Sequence, residues 1–155
     1  KPRLEKGPII VAVDTSGSMS GRPMQIAYAV LLQLLRLARK QKRKVFLMSF
    51  SVGAKFLDLS LPRNWMRLKS FLENRFSGGT DGEEMLNLSI KMLQSKTFGM
   101  ADVLIISDFY FPLPKDSTWK KMLKEHGKGT CFYGLKIGST DRLYDTILDK
   151  TWNIK

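Results

Sequence analysis

An apolar run that stops at a single carboxylate constrains the fold of this chain more than any other feature. Residues 9–13 read Ile-Ile-Val-Ala-Val, and Asp14 follows them directly. Strands of a parallel sheet are covered on both faces, and they therefore read as continuous apolar runs. Open α/β sheets bind their ligands at the carboxyl ends of such strands. The run therefore predicts a buried parallel strand with Asp14 at a ligand-binding edge.

Two hydroxyl residues follow Asp14 at alternate positions. Ser16 and Ser18 would add two neutral oxygens to the carboxylate, on a loop that Gly17 allows to curl tightly. Oxygen-only donors suit a hard divalent cation, of which Mg²⁺ is the best match. The loop therefore predicts a metal site for Mg²⁺, with Mn²⁺ or Ca²⁺ as alternatives.

The rest of the chain alternates strand and helix patterns. Further strands are predicted at residues 44–51, 102–107, 130–137 and 151–154, with a weaker antiparallel edge strand at 56–61. Apolar residues at helical spacing predict helices at about 23–41, 65–76, 83–95, 116–126 and 142–148. We therefore predict an α/β fold with a doubly wound, mostly parallel six-stranded sheet, one antiparallel edge strand and helices on both faces.

The chain length fits a single domain. The 155 residues, of which 43% are hydrophobic, are enough to bury a substantial core. Because the chain begins with Lys1 and not with Met, we expect it to be a fragment of a longer protein. No apolar run approaches the ~18–20 residues of a membrane-spanning helix. Cys131 is the only cysteine, which excludes an internal disulfide and predicts a cytoplasmic protein.

A second aspartate and a threonine extend the predicted metal site. Asp108 follows the apolar run at 102–107, and the carboxyl ends of neighbouring parallel strands lie side by side. Thr80 lies in a glycine-rich loop before a predicted helix. The local alternative is helix capping, because Thr80 and Asp81 are each followed three residues later by a glutamate.

These residues together resemble the von Willebrand factor A domain family. Three segments carry the likeness: Asp14-Thr15-Ser16-Gly17-Ser18-Met19, Gly78-Gly79-Thr80 and Ser107-Asp108. The resemblance covers residues 7–153 and implies a metal-ion-dependent adhesion site, or MIDAS. Its metal-site residues would be Asp14, Ser16, Ser18, Thr80 and Asp108. We expect their neighbours Met19, Asp81 and Phe109 to contact a partner protein.

A narrower likeness concerns one intracellular branch of the family. The segments at 76–81 and 103–109 are similar to ViaA-type bacterial proteins, which work with AAA+ ATPases of the MoxR family. In those proteins the domain follows a largely helical region. Phe109 stands where extracellular adhesion domains usually carry a glycine, which favours the intracellular branch. The resemblance implies an adaptor that docks a carboxylate of the ATPase, or of its client protein, on the cation.

Enzymatic functions fit the chain poorly, and we expect neither catalysis nor a small-molecule substrate. A dehalogenase-type phosphatase would need a second aspartate two positions after the first, where this chain has Ser16. There is no Walker A motif. His126 is the only histidine, so a zinc site or a serine-hydrolase triad lacks partners.

The net charge of +12 leaves three interpretations open. One basic set is predicted to share a face of the first helix, extended by Lys42 and Lys44: Arg36, Arg39, Lys40 and Arg43. A second set surrounds Trp119 and includes Lys120 and Lys124. These sets fit a solvated surface, contact with an acidic protein or anionic lipid, or binding to nucleic acid. No nucleic-acid motif accompanies the charge.

Overall fold

The protein forms one mixed sheet of six strands in the part of the chain that the structure, a computed structural model, describes: residues 7–73, 79–96 and 98–154. The strands are Ile9–Asp14 (β1), Val45–Phe50 (β2), Ala54–Asp58 (β3), Asp102–Ser107 (β4), Phe132–Ile137 (β5) and Lys150–Ile154 (β6). Their order is β3-β2-β1-β4-β5-β6. Only β3 is antiparallel to its neighbour, so the predicted sheet is confirmed, including its antiparallel edge strand.

Helices cover both faces of this sheet, as predicted. Within the described residues the α-helices are Arg22–Lys40 (α1), Leu68–Glu73 (α2), Gly82–Leu93 (α3) and Asp116–Gly127 (α4). Buried residues of α1 and α2 pack on one face, and those of α3 and α4 pack on the other. No helix among the described residues is both long and apolar enough to span a bilayer.

The two faces of β1 contribute to two separate cores. Ile9, Val11 and Val13 pack with α1 and α2, whereas Ile10 and Ala12 pack with α3 and α4. Successive side chains of a strand point to opposite faces, so a strand covered on both sides must be apolar throughout. This arrangement explains why the run is uninterrupted up to its last residue, Asp14.

Three predicted elements differ from the structure by more than two residues or in helix type. β3 ends at Asp58 and not at residue 61, because the Asp58 side chain accepts a hydrogen bond from the Ser60 backbone N–H at 2.9 Å and turns the chain. The helix predicted at 65–76 is a 3₁₀ helix, Pro62–Arg67, followed by the short α2. Phe76 lies outside the described residues. The helix predicted at 142–148 is a single 3₁₀ turn, Leu143–Thr146.

A glutamate at the start of α3 also caps α4. The Glu83 carboxylate accepts hydrogen bonds from the Lys115 backbone N–H, at 2.9 Å, and from the Thr118 hydroxyl. Lys115 is the N-cap residue of α4, and its own side chain makes no capping bond. Glu83 therefore supplies the acceptor that the amino end of a helix needs. This bridge fixes the first turn of α3 relative to α4.

Candidate metal centre

Two aspartates meet at the carboxyl ends of β1 and β4, as predicted from the sequence. β1 and β4 are adjacent and parallel; Asp14 ends β1, and Asp108 directly follows β4. Asp14 is completely buried and Asp108 is almost so. Burial raises the pKa of Asp14 above its ordinary value, and the negative charge of Asp108 adds to the rise, against the lowering effect of hydrogen bonds from Ser107 and Ser16. The edge therefore holds two carboxyl groups largely out of contact with water.

The Asp14 carboxylate is held by two donors. The Ser107 hydroxyl donates to its Oδ2 at 2.6 Å, and the Ser16 backbone N–H donates to its Oδ1 at 2.9 Å. The Ser107 oxygen in turn accepts the Phe109 N–H at 2.8 Å. The sequence predicts no role for Ser107 in the site, because its bond to Asp14 depends on the pairing of β1 with β4. The one sequence signal that could have indicated this role is the position of Ser107 directly before Asp108, the second aspartate at a strand end.

The two predicted hydroxyls of the first loop lie together. Ser16 is buried and Ser18 is exposed, and their Oγ atoms are 3.2 Å apart. A short 3₁₀ helix, Gly17–Met19, curls this loop beside Asp14. The loop therefore presents a pair of neutral oxygens next to the buried carboxylate, one of them open to solvent.

The loop that contains Thr80 lies against the end of β2. Asp81 is the N-cap of α3, and its carboxylate accepts the Glu84 N–H at 2.9 Å. Its own N–H donates to the Ser51 carbonyl at 2.6 Å. Capping by Asp81 is thus confirmed, whereas capping by Thr80 is wrong because Thr80 precedes the N-cap. Thr80 is half-buried, and no hydrogen bond within the described residues joins it to the other four predicted metal residues. Gly78 lies outside those residues.

Two of the three predicted partner contacts are wrong. Met19 is completely buried in the core under α1, so it stabilises the loop and offers nothing to a partner. Phe109 is also buried, with its ring centroid 5.3 Å from that of Tyr144. Its φ is 60°, the left-handed conformation that favours glycine, so burial of the ring offsets a backbone cost. Asp81 is exposed, and its role toward a partner stays a prediction.

Further hydroxyls lie at the same edge of the sheet and were missed from the sequence. The side chains of Thr15 and Ser49, both completely buried, are joined by a hydrogen bond of 2.9 Å. The Ser51 hydroxyl is the one buried side-chain oxygen or nitrogen without a hydrogen-bond partner among the described residues. A buried hydroxyl without a hydrogen-bond partner lowers the stability of the fold. A polar ligand bound nearby would supply the missing partner.

Five of the six residues predicted to form a basic surface are exposed, and one is not. Arg36, Arg39 and Lys40 are exposed on α1, and Lys120 and Lys124 are exposed on α4. Arg43 is not on the helix, which ends at Lys40. Its side chain is only 11% exposed, pairs with Asp102 at 2.9 Å and donates to the Gly7 carbonyl at 2.6 Å. Arg43 therefore joins the amino ends of the strands to one another.

The donor set fits a hard divalent cation. It combines two carboxylates with hydroxyl oxygens, which are the ligand types that Mg²⁺ prefers. No ion pair within the described residues neutralises Asp14 or Asp108. Among those residues no three His, Cys, Asp or Glu side chains lie together as a metal cluster. The site is therefore poor in charge, and it differs from the carboxylate- or thiolate-rich sites that bind metals permanently.

Known proteins support the fold. A curated relative, the regulatory protein ViaA of Edwardsiella ictaluri (strain 93-146), is 37% identical over 133 residues, which are 85% of this chain and 28% of the relative. The chain thus spans little more than a quarter of that relative's length. The open conformation of the pilus adhesin SpaC from Lactobacillus rhamnosus GG superimposes with a TM-score of 0.73 at 15% identity, over 100% of this chain and 28% of that one.

A second solved structure covers most of both chains. The conserved hypothetical protein BatB from Bacteroides thetaiotaomicron superimposes with a TM-score of 0.67 at 16% identity, over 97% of this chain and 90% of that chain. Likenesses at such low identity concern the fold alone. The sequence model of the von Willebrand factor type A domain matches residues 9–110, from the first strand to just beyond Asp108. The chain belongs to the von Willebrand factor type A domain family.

Proposed function

We propose that this domain binds partner proteins by docking an acidic side chain on a divalent cation. Asp14, Ser16, Ser18, Thr80 and Asp108 would hold the cation, as the family resemblance implies. The observation that carries the proposal is the buried Asp14 carboxylate, oriented by Ser107 and lacking a cationic partner in the described residues, beside the paired hydroxyls of Ser16 and Ser18. A buried carboxylate without a counter-charge is costly, and a bound cation removes that cost.

Charge counting favours docking over catalysis. When bound, the cation supplies a positive charge with a coordination position that a partner's carboxylate can take. Two carboxylates and three hydroxyls leave a six-coordinate ion incomplete, so the residues of this chain orient the ion without saturating it. Ser16 occupies the position where a phosphatase of the dehalogenase type would carry its acid, so we propose a non-enzymatic role.

Exposed apolar side chains beside the site support a protein partner. Tyr110, two residues after Asp108, is 59% exposed, and Val52, two residues after β2, is 50% exposed. Both follow the carboxyl ends of strands, where the candidate metal site lies. Large exposed apolar groups around a charged centre are typical of protein-binding surfaces.

The partner class is inferred from the relative. ViaA is named a regulatory protein, and ViaA-type proteins resemble this chain in the motifs given above. We therefore propose a cytoplasmic partner: an AAA+ ATPase of the MoxR type, or a client of that ATPase. Mg²⁺ is the preferred cation of the proposal because hydroxyl and carboxylate oxygens with retained water suit it best.

A thermal unfolding experiment and a binding experiment test this proposal together. At a Mg²⁺ concentration ten times the dissociation constant, the cation stabilises the fold by about 1.4 kcal/mol and raises Tm by about 3–6 °C. We expect this shift in the natural chain and in Asp116→Asn, a matched charge change on an exposed helix residue. We expect no shift in Asp14→Asn.

Binding to a purified MoxR-type ATPase should follow the same pattern. The natural chain and Asp116→Asn should bind in Mg²⁺ and lose binding in EDTA, whereas Asp14→Asn should bind in neither condition. A rise in Tm with Mg²⁺ but no binding to the ATPase would refute the proposed partner without contradicting the proposed metal site. Binding that ignores both EDTA and Asp14→Asn would refute metal-dependent docking.

A further inference from the structure

A groove of about 400 Å³ lies at the end of the sheet opposite the candidate metal centre. It is bounded by the last turns of α1, the start of β2 and the 3₁₀ helix Pro62–Arg67. The strand β1 separates the two ends by about 16 Å, since its six residues are joined by five steps of ~3.3 Å. The groove is therefore independent of the metal loops.

Its floor is apolar and its rim is cationic. Leu35, Val45 and Leu59 line the groove and are almost completely buried. Arg39, Lys42 and Lys44 also line it and are exposed. A concave apolar surface with a few charged groups at its edge is the usual form of a binding site. This surface would accept an apolar side chain flanked by negative charge.

The positive charge here exceeds what the fold requires. A helix gains from one or two cations near its carboxyl end, and Lys40 meets this requirement. Arg43 is taken by Asp102. Within the described residues, Arg39, Lys42 and Lys44 have no carboxylate partner. Three like charges on one rim repel each other, and an anionic ligand would relieve that repulsion.

One rim cation is held in place by an aromatic ring. The Arg39 guanidinium lies over the Trp65 ring, 5.9 Å from its centroid. The Trp65 indole N–H donates to the Leu59 carbonyl at 2.7 Å, which fixes the ring. Stacking on a ring leaves the N–H donors of a guanidinium available, and those donors bind carboxylates in a fork geometry. Arg39 is therefore pre-positioned to bind a carboxylate.

A second rim cation occupies a backbone position that favours glycine. Lys42 has a φ of 55°. It closes α1 in a Schellman motif, in which the Arg43 N–H donates to the Ala38 carbonyl at 2.8 Å and the Lys42 N–H donates to the Arg39 carbonyl at 3.1 Å. Glycine is the usual residue at this position. A lysine here costs stability that a glycine would not, so the rim charge of Lys42 comes at a cost to the fold.

We propose that this groove binds an acidic peptide segment of a partner protein, with a leucine or phenylalanine on the apolar floor and flanking glutamates on the rim. A membrane surface fits less well, because a flat bilayer would meet the rim and not reach the floor. Single-stranded nucleic acid stacks its bases on exposed aromatic rings, whereas this floor is aliphatic and Arg39 covers part of Trp65.

Fluorescence anisotropy with a labelled peptide, Glu-Glu-Leu-Phe-Glu-Glu, tests the proposal on the whole chain. The charge-removing variant is Lys42→Gly with Lys44→Gln, and the matched control is Lys120→Gln with Lys124→Gln on α4. We expect the first pair to weaken binding by about 4–9-fold, since each of the two rim charges contributes about 2–3-fold. We expect the control pair to change binding less than 2-fold, and EDTA to have no effect.

The Lys42→Gly change also separates binding from folding. Glycine relieves the left-handed backbone, so this single variant should raise Tm by about 2 °C while it weakens peptide binding. Equal losses in the two double variants would overturn the proposal, because they would indicate general attraction to positive charge. Equal affinity for a Gln-Gln-Leu-Phe-Gln-Gln peptide would overturn it as well. So would tighter binding of phosphatidylglycerol vesicles or of oligo(dT), with the same dependence on Lys42 and Lys44.

Discussion

Removing the Ser107 hydroxyl should destabilise the fold far more than removing an equally buried hydroxyl elsewhere. Ser107 donates to the Asp14 carboxylate at 2.6 Å and accepts the Phe109 N–H at 2.8 Å. A hydrogen bond to a charged group contributes about 1.5–3 kcal/mol, and a buried amide left without an acceptor costs about 1–3 kcal/mol. We expect Ser107→Ala to lower the free energy of unfolding by about 3 kcal/mol, or Tm by about 6–12 °C.

Ser49→Ala is the matched control. Ser49 is likewise completely buried, on β2, the other neighbour of β1. Within the described part of the chain, its hydroxyl bonds only to the neutral hydroxyl of Thr15, which retains the Phe50 carbonyl as an acceptor at 3.3 Å. The loss should be about 1 kcal/mol. Urea unfolding in EDTA, at about pH 8, measures both variants.

A double-mutant cycle identifies the charge as the cause. In an Asp14→Asn background the bond from Ser107 joins two neutral groups, so Ser107→Ala should cost at least 1 kcal/mol less than in the natural chain. The reasoning would be refuted if Ser107→Ala and Ser49→Ala were equal within about 0.5 kcal/mol. An unchanged cost of Ser107→Ala in the Asp14→Asn background would refute it too.

Two further predictions concern packing and pH. In Gly82→Ala the new methyl group would lie 2.3 Å from a ring carbon of Phe111, so we expect a loss of about 1–3 kcal/mol in urea unfolding. Gly79→Ala, which meets no atom within 4 Å, should change stability by less than about 0.5 kcal/mol. A hydrogen bond from Lys136 lowers the pKa of Asp145 below its ordinary value of 3.8, so the pair stabilises the fold above that pH and loses its effect as the pH falls below it. Asp145→Asn should therefore lower the free energy of unfolding near neutral pH and make that free energy fall less steeply in acid. Parallel curves of stability against pH for the variant and the natural chain would contradict this.

The elements that the sequence predicted best are those buried on both faces. β4 was predicted at its observed limits, and β1 up to its terminal Asp14, because a strand covered on both sides permits no polar interruption. The end of β3 was not predicted. It depends on one side chain, Asp58, which bonds to the Ser60 backbone and turns the chain. Local side-chain bonds of this kind compete with a strand without changing its apolar pattern.

The sequence predicted the site residues whose position depends on where strands end. It did not predict the side chains whose direction depends on tertiary packing. Asp14 and Asp108 follow from the order of apolar runs along the chain. Met19 and Phe109 are next to site residues in sequence, but the direction of a loop side chain is set by the core that it meets. Arg43 fits the helical spacing of the basic residues on α1, but α1 ends before it. The Schellman motif that ends α1 has Lys42 where a glycine is usual, so the sequence carries no stop signal there.

The bridge from Glu83 to α4 makes the two helices a mechanical unit. Thr80 lies three residues before Glu83, whose carboxylate binds Lys115 and Thr118 at the start of α4. A displacement of the loop that contains Thr80 would therefore either pull α4 along or strip its amino end of an acceptor. Movement at this end of α3 would thus be coupled to α4, a helix of 12 residues that begins at this contact.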